Sequence, residues 1–309
     1  MHLTDINWPD MQVYIADPAY PDMLPQELSG VVYESNNLFV AKRQQPLPTF
    51  ALDTWLNPRL IEIESISDAV HQLQPHHDFW APYIDQFARR TALIGDKLKH
   101  INLPKQLAFP IKPLPPIAQF TLLDKNTVLF ATERDKKIPN GQFNFIEDKI
   151  NPPNRAYLKL WEALSLLQRH PKPGDTAIDV GASPGGWTYV LQSLGAQVTA
   201  IDKAPLDSRI AYRPGVITKQ QSAFSLSPDD VDHIDWFVGD IACYPDKLYR
   251  WLLPWIESGK VSQFIMTLKL QGEDDLNTIA PFQKIPNTRI LHLQQNKHEV
   301  TLFHPFNQG

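Results

Sequence analysis

Asp179-Val180-Gly181-Ala182-Ser183-Pro184-Gly185-Gly186-Trp187 lies where a short apolar run, Thr176 to Val180, gives way to a segment with helical spacing, Gly186 to Leu194. A buried strand running into glycines and then a helix is a ligand-binding layout. Gly181 permits a tight turn and close approach of a ligand, while Gly185 and Gly186 leave the helix start free of obstructing side chains. Free amides there suit an anionic group, a carboxylate or a phosphate. The loop is not the GxGxxG of nicotinamide enzymes, because position 183 is Ser, and it lacks the Gly-Lys-Ser/Thr of a P-loop. Working outward, Gln197 to Ile201 reads as the next strand, and Asp202 ends it where an acidic side chain accepts from ribose hydroxyls. Upstream, Ala156 to Arg169 is helical until Pro171-Lys172-Pro173-Gly174 breaks it. Downstream, strands are expected at Ile234 to Val238 and Ser262 to Leu268, with a helix at Pro245 to Glu257 and an ill-defined helix after Gly272. Arg289 to Leu293 and Glu299 to Phe303 close the chain as strands. Alternating strands and helices predict an α/β domain whose mostly parallel sheet is covered on both faces. The last two strands, with no clear helix between them, predict an antiparallel edge.

A boundary is expected near Asn151-Pro152-Pro153, dividing an N-terminal α+β domain, residues 1–150, from the α/β domain, residues 151–309. In the first part, Gly30 to Tyr33 and Leu38 to Ala41 flank Ser35-Asn36-Asn37 as a hairpin, and Leu60 to Glu64 alternates as a strand does. Ser65 or Ser67 caps a helix reaching about Leu73, and Phe79 to Leu98 has helical apolar spacing. After a Pro-punctuated stretch from Pro104 to Pro116, Ala118 to Leu123 and Thr127 to Thr132 read as a second hairpin.

The bulk composition bounds the function. Of 309 residues 43% are hydrophobic and 20% charged, enough apolar material for a core in each domain. Cys243 is the only cysteine, which excludes an intramolecular disulfide and CxxC metal sites. No His, Cys and carboxylate cluster has ligand spacing, so no metal is expected. The N-terminus has no basic start followed by an apolar run, and no apolar stretch is long enough to span a membrane, so a soluble, cytoplasmic protein is expected. Net charge is −5, with acidic residues outnumbering basic ones on both sides of residue 150. This balance does not announce nucleic-acid binding, although a local basic patch would suffice for it. Candidate patches are Arg89, Arg90, Lys97, Lys99 and Lys105, and also Arg134, Lys136 and Lys137. Basic side chains there would neutralise phosphate without reading sequence, or else serve as ordinary solvated surface. Trp55 and Trp80 are aromatic candidates for base stacking or for the core.

The segment Asp179 to Trp187 resembles the S-adenosylmethionine (SAM) loop of the FtsJ-type ribose 2′-O-methyltransferases, D-x-G-x-x-P-G-G-[WF]. The resemblance implies a Rossmann-like SAM methyltransferase domain with a mostly parallel seven-stranded sheet. It also implies that Asp179, Gly181, Ala182, Ser183, Pro184, Gly186 and Trp187 form the methionine side of the SAM site, with Asp202 near the ribose. That family uses a Lys–Asp–Lys–Glu tetrad, and the order is matched by Lys159 in Arg155-Ala-Tyr-Leu-Lys-Leu-Trp-Glu162, Asp240 after Trp236-Phe-Val-Gly, Lys269 after Phe264-Ile-Met-Thr-Leu, and Glu299 in Lys297-His-Glu-Val-Thr301. Within the family the chain is most similar to the RlmM type, which methylates a cytidine 2′-hydroxyl of large-subunit ribosomal RNA. Residues 154 to 163 resemble the run before that type's catalytic domain, and a THUMP-like RNA-binding part is implied N-terminally. One position departs: many SAM enzymes carry an acidic residue near the adenine, and here the neighbourhood reads Gln220-Gln-Ser-Ala-Phe224, with Ser222 in that place.

The chemistry explains these residue types. A ribose hydroxyl is a poor nucleophile and must lose its proton as it attacks a sulfonium methyl. Lys269 is the candidate base or proton-orienting group, yet at a pKa of about 10.4 only about one lysine in a thousand is neutral near pH 7.4. Half-neutral Lys269 requires roughly 4 kcal/mol of help. Burial, Lys159 and the sulfonium push its pKa down, whereas Asp240 and Glu299 push it up. The carboxylates therefore read as positioning groups. Two rival readings remain open on these residues. One is a methyltransferase of the same fold acting on a small molecule or protein; the other is a non-catalytic RNA-binding or assembly protein with a decayed site.

Overall fold

In the computed structural model, residues 6–270 and 276–306 are described. The chain divides into two compact units, one formed by residues 1–107 and 112–144, the other by 108–111 and 145–309. The expected boundary at residue 150 falls inside the second unit.

The first unit holds two four-stranded sheets. One has the order β2-β3-β1-β4, built from β1 (Met11–Ala16), β2 (Tyr33–Ser35), β3 (Leu38–Lys42) and β4 (Ala51–Trp55), with the short helix α1 (Met23–Glu27) between β1 and β2. The other has the order β5-β8-β7-β6, from β5 (Arg59–Glu62), β6 (Trp80–Pro82), β7 (Ala118–Leu122) and β8 (Thr127–Ala131), with helices α2 (Ile66–Leu73) and α3 (Ala88–Gly95). Both expected hairpins form, and Ser65 caps α2 by accepting from the Asp68 amide at 3.1 Å. The expected helix over Phe79 to Leu98 is corrected. Trp80–Pro82 pairs with β7, Phe87 turns through a left-handed conformation (φ 37°), and only Ala88–Gly95 is helical. Two expected RNA contacts are also corrected. The Arg134 side chain is buried and donates to Asp53 at 2.6 Å, and Lys136 is buried against Asp135 at 2.9 Å. Neither faces a phosphate from outside, whereas Arg89, Lys97, Lys99, Lys105 and Lys137 are exposed. Trp55 and Trp80 belong to the core.

The second unit is a seven-stranded sheet of order β11-β10-β9-β12-β13-β15-β14. It follows helix α4 (Tyr157–Leu167) and runs through β9 (Thr176–Val180), α5 (Gly186–Ser193), β10 (Gln197–Asp202), α6 (Ser208–Ala211), β11 (Val216–Gln220), β12 (Trp236–Gly239), α7 (Pro245–Glu257) and β13 (Phe264–Lys269). It ends with α8 (Ala280–Gln283), β14 (Arg289–Leu291) and β15 (Glu299–His304). Strands β9 to β13 are parallel, and β15 runs antiparallel to both β13 and β14, as the missing helix between the last two strands predicts. β12 is fully buried and β13 nearly so, as expected of strands covered on both faces. The helix expected after Gly272 falls partly outside the described residues; within them a 3-10 turn at Leu276–Thr278 precedes α8. Among the described residues no helix is long and apolar enough to cross a membrane.

Candidate active site

An open α/β sheet places its ligand crevice beyond the carboxyl ends of its strands. A cleft of about 820 Å³ opens there, lined on one side by Gly181, Ser183, Asp202 and Ser222 and on the other by Asp240, Lys269 and the loop after β12. The turn after β9 brings the two sides together. Gly181 has φ +71°, and a Cβ on it would come within 3.0 Å of the Asp240 carbonyl oxygen. A Cβ on Gly186 would stand 2.2 Å from Asn154 Oδ1, so the start of α5 packs on the segment leading into α4 only without a side chain. Trp187 is buried and donates its indole N–H to the Ala156 carbonyl at 2.9 Å.

Ahead of the helix start, the amides of the turn are already engaged. Gly181 and Ala182 both donate to the Ile201 carbonyl, at 2.9 and 3.3 Å, and Ser183 donates to Asp202 at 3.0 Å. The loop is thus fixed before any ligand arrives. Open anion-binding capacity remains at the start of α5, where Gly185 caps the helix with no side-chain bond. Asp202 also accepts from the Ala204 amide at 2.9 Å, and each carboxylate oxygen can accept a second bond. Asp179 is not on the cleft. It is buried beneath the turn and accepts from the Thr188 hydroxyl at 2.6 Å. Burial pushes its carboxyl up to about 7, against the Thr188 bond and with help from the Asp240 charge. Ala182, Pro184, Gly186 and Trp187 likewise support the loop from behind, without lining the cleft. Ser222 lines the cleft, and its hydroxyl accepts from the Phe224 amide at 3.3 Å.

At the other side, four charged residues from four elements close into a ring. Lys159 reaches out of α4, a helix buried along nearly its whole length, and donates to Asp240 Oδ2 at 2.5 Å and Glu299 Oε1 at 2.6 Å. Lys269, at the end of β13, donates to Asp240 Oδ1 at 2.8 Å and to Glu299 Oε2. Lys269 and Glu299 are register partners across β13 and β15, which is why strand pairing alone delivers this contact. Each ammonium bridges both carboxylates, and each carboxylate uses one oxygen per lysine. The ring is neutral as a whole, which is how four charges tolerate burial. Lys159 and Glu299 are buried, while Asp240 and Lys269 reach the cleft.

The ring decides the protonation state of Lys269. Burial acts to lower its pKa, but Asp240 and Glu299 together outweigh burial and hold it above the ordinary lysine value. Asp240 is held below the ordinary carboxylate value, its burial outweighed by Lys159 and Lys269. Of the two opposed influences expected on Lys269, the carboxylates prevail in this state.

Several cleft residues escaped the sequence reading: Lys203, Phe224, Cys243, Tyr244 and Lys247. Lys247 lies in the first turn of α7, and the others sit on the connections after β10, β11 and β12, where no periodicity marks them. Lys247 stands 4.0 Å over the Phe224 ring, joining α7 to the connection after β11. Among the described residues no group of His, Cys, Asp and Glu is arranged to hold a metal ion.

The FtsJ-like methyltransferase family model matches residues 152–274. The ribosomal RNA large subunit methyltransferase M of Halorhodospira halophila is 39% identical over 161 residues, 50% of this chain and 47% of that protein. The protein of the same name from Xylella fastidiosa is 30% identical over 268 residues, 82% of this chain and 74% of that one. The match thus spans about half the length of the first relative and about three quarters of the second. Among solved structures, the Methanococcus jannaschii fibrillarin pre-rRNA processing protein superposes with a TM-score of 0.33 at 20% identity, over 43% of this chain and 66% of that one.

Proposed function

The chain belongs to the FtsJ-like methyltransferase family, in the group named ribosomal RNA large subunit methyltransferase M, and on that premise we propose that it transfers a methyl group from SAM to a ribose 2′-hydroxyl of large-subunit ribosomal RNA. The observation that carries this reading is the neutral ring of Lys159, Asp240, Lys269 and Glu299, two of whose members line the same cleft as the Gly181 turn.

The cleft fits the cofactor in kind. It combines a glycine turn, a carboxylate at the end of β10, an uncapped helix start and the carboxylate of Asp240, which suits a cationic centre. In this reading Gly181, Ala182, Ser183, Pro184, Gly186 and Trp187 build the amino-acid end of the site, Asp179 stiffens the turn from below, Asp202 meets the ribose, and Ser222 stands near the adenine. The bound cofactor supplies an electrophilic methyl group on a sulfonium. The protein's own work is to present and deprotonate the hydroxyl. The oxygen–methyl bond forms as the sulfur–methyl bond breaks, and the hydroxyl proton passes to the Lys269 amine. Asp240 and Glu299 aim that amine, and Lys159 offsets their charge so that both remain in place. Because the ring favours the Lys269 ammonium, only the neutral fraction reacts, and the rate rises with pH.

The first unit is the RNA-gripping part in this reading, with Arg89, Lys97, Lys99, Lys105 and Lys137 as phosphate contacts, in the manner of a THUMP-like domain. A cytoplasmic location goes with such a substrate. The experiment is incubation of the full chain with methyl-labelled SAM and ribosomal RNA from a strain lacking the protein. Label must enter RNA with the wild type and not with Lys269→Ala. Label entering only protein or small molecules overturns the substrate, and RNA binding without transfer overturns the enzyme.

A further inference from the structure

Tyr244 is the feature of the cleft that the reaction above leaves unused. It follows Asp240 on the loop between β12 and α7, and Pro245 begins the helix directly after it. Its backbone is engaged, because its carbonyl accepts from the amides of Lys247 and Leu248, both at 3.1 Å. Its side chain is not. The residue is 68% exposed although it lines the cleft, and among the described residues its ring has no aromatic neighbour and its hydroxyl no hydrogen bond. The other cleft aromatic is tied down: Phe224 packs edge-on against Trp251 at 5.3 Å and lies under Lys247. Of the other large aromatic side chains of the same unit, Trp187, Trp236, Phe237, Trp255 and Phe264 are buried, and Tyr212, 88% exposed, does not line this cleft. An exposed aromatic ring held on a fixed backbone at a cleft mouth is a surface built for a flat partner.

Strand order places this loop within the cleft. The Gly181 turn follows β9 and Lys269 ends β13, with β12 between them. The loop carrying Tyr244 therefore stands at the junction of the cofactor side and the side where Lys269 awaits a hydroxyl. A ribose presented to Lys269 carries its base with it. Unpaired bases in RNA recognition are held by stacking on aromatic side chains, a contact available to every base because each has a π face. We propose that Tyr244 is a positioning residue that stacks on the base of the target nucleotide, or of its immediate neighbour, and so holds the ribose hydroxyl at Lys269. This rests on the proposed RNA reaction.

The test compares the full-length wild type with Tyr244→Ala and Tyr244→Phe, using methyl-labelled SAM and ribosomal RNA from a strain lacking the protein. SAM binding and thermal melting are measured alongside. Alanine is expected to raise KM for RNA by about 5- to 150-fold, the range that removal of a base-stacking ring produces. SAM affinity and melting temperature stay at wild-type values, and phenylalanine, which keeps the π face, restores KM. An unchanged KM in Tyr244→Ala, with a wild type that methylates RNA, overturns the stacking role alone. Weakened SAM binding overturns it too, by assigning the ring to the cofactor, and a lowered melting temperature does so by making the ring structural. No transfer to RNA by the wild type refutes the reaction and this role together.

Discussion

Replacing Lys159 by methionine removes one charge from the ring while keeping most of its volume. Lys159 is 8% exposed at the side chain and donates to Asp240 and Glu299 at 2.5 and 2.6 Å. Without it Lys269 is the sole counter-ion of two carboxylates, and the ring carries a net negative charge. Removing one partner of a buried pair costs about 3–5 kcal/mol, and the low end applies because Asp240 reaches the cleft. A loss of about 3 kcal/mol corresponds to a fall of about 6–12 °C in Tm for a unit of this size. The double variant Lys159→Met/Glu299→Gln is neutral again and is expected to recover part of that loss without recovering activity. The pH dependence has a definite sign. Asp240 has a lowered folded-state pKa, so its contribution is present above its ordinary value of 3.8 and disappears as pH falls through the lower folded value. The gap between wild type and Lys159→Met, measured by urea unfolding, is therefore widest near neutral pH and closes in acid. A gap below about 1 kcal/mol at neutral pH, or one that persists undiminished in acid, refutes the coupled-ring account.

Glu299→Gln removes one of the two carboxylates that hold Lys269 up, so the alkaline rise of the methyl-transfer rate moves to lower pH than in the wild type; a pH–rate profile checks the direction. Asp179 has a folded-state pKa raised from 3.8 to about 7, so its contribution is fully present below 3.8 and lost as pH rises through about 7. Relative to Asp179→Asn, the wild type should lose up to roughly 4 kcal/mol of stability across that window, read from urea midpoints. Gly181→Ala forces a side chain into a φ of +71° and to within 3.0 Å of the Asp240 carbonyl oxygen. Roughly 1–3 kcal/mol of strain follows, and SAM affinity by calorimetry should fall about tenfold.

The second unit was largely legible because its signals are local. Asp179 to Trp187 announces a strand, a turn and a helix within nine residues, and the run before Lys269 reads as a buried strand on its own. The order of Lys159, Asp240, Lys269 and Glu299 is legible in the sequence, but their charge state is not. It depends on both carboxylates bridging both lysines, a fact of three-dimensional closure that spacing cannot express. The first unit was harder to read. Met11–Ala16 is buried at every position, so it has no alternation to mark it as a strand. The apolar spacing of Phe79, Ile84 and Phe87 fits a helix, yet Trp80–Pro82 is recruited as the edge of a sheet by β7, far along the chain. Arg134 and Lys136 looked like surface charges because nothing near them in sequence shows that Asp53 lies across from Arg134.

In the proposed reaction the oxygen of a ribose, activated at Lys269, receives the methyl group. Alkaline hydrolysis of RNA needs a free 2′-hydroxyl, so a methyl group on that oxygen protects the adjoining phosphodiester bond. Ribosomal RNA labelled by this protein and digested in alkali should yield its label in dinucleotides that resist cleavage. Label recovered in mononucleotides would mean that a base, not a ribose, had been methylated, and would contradict the account.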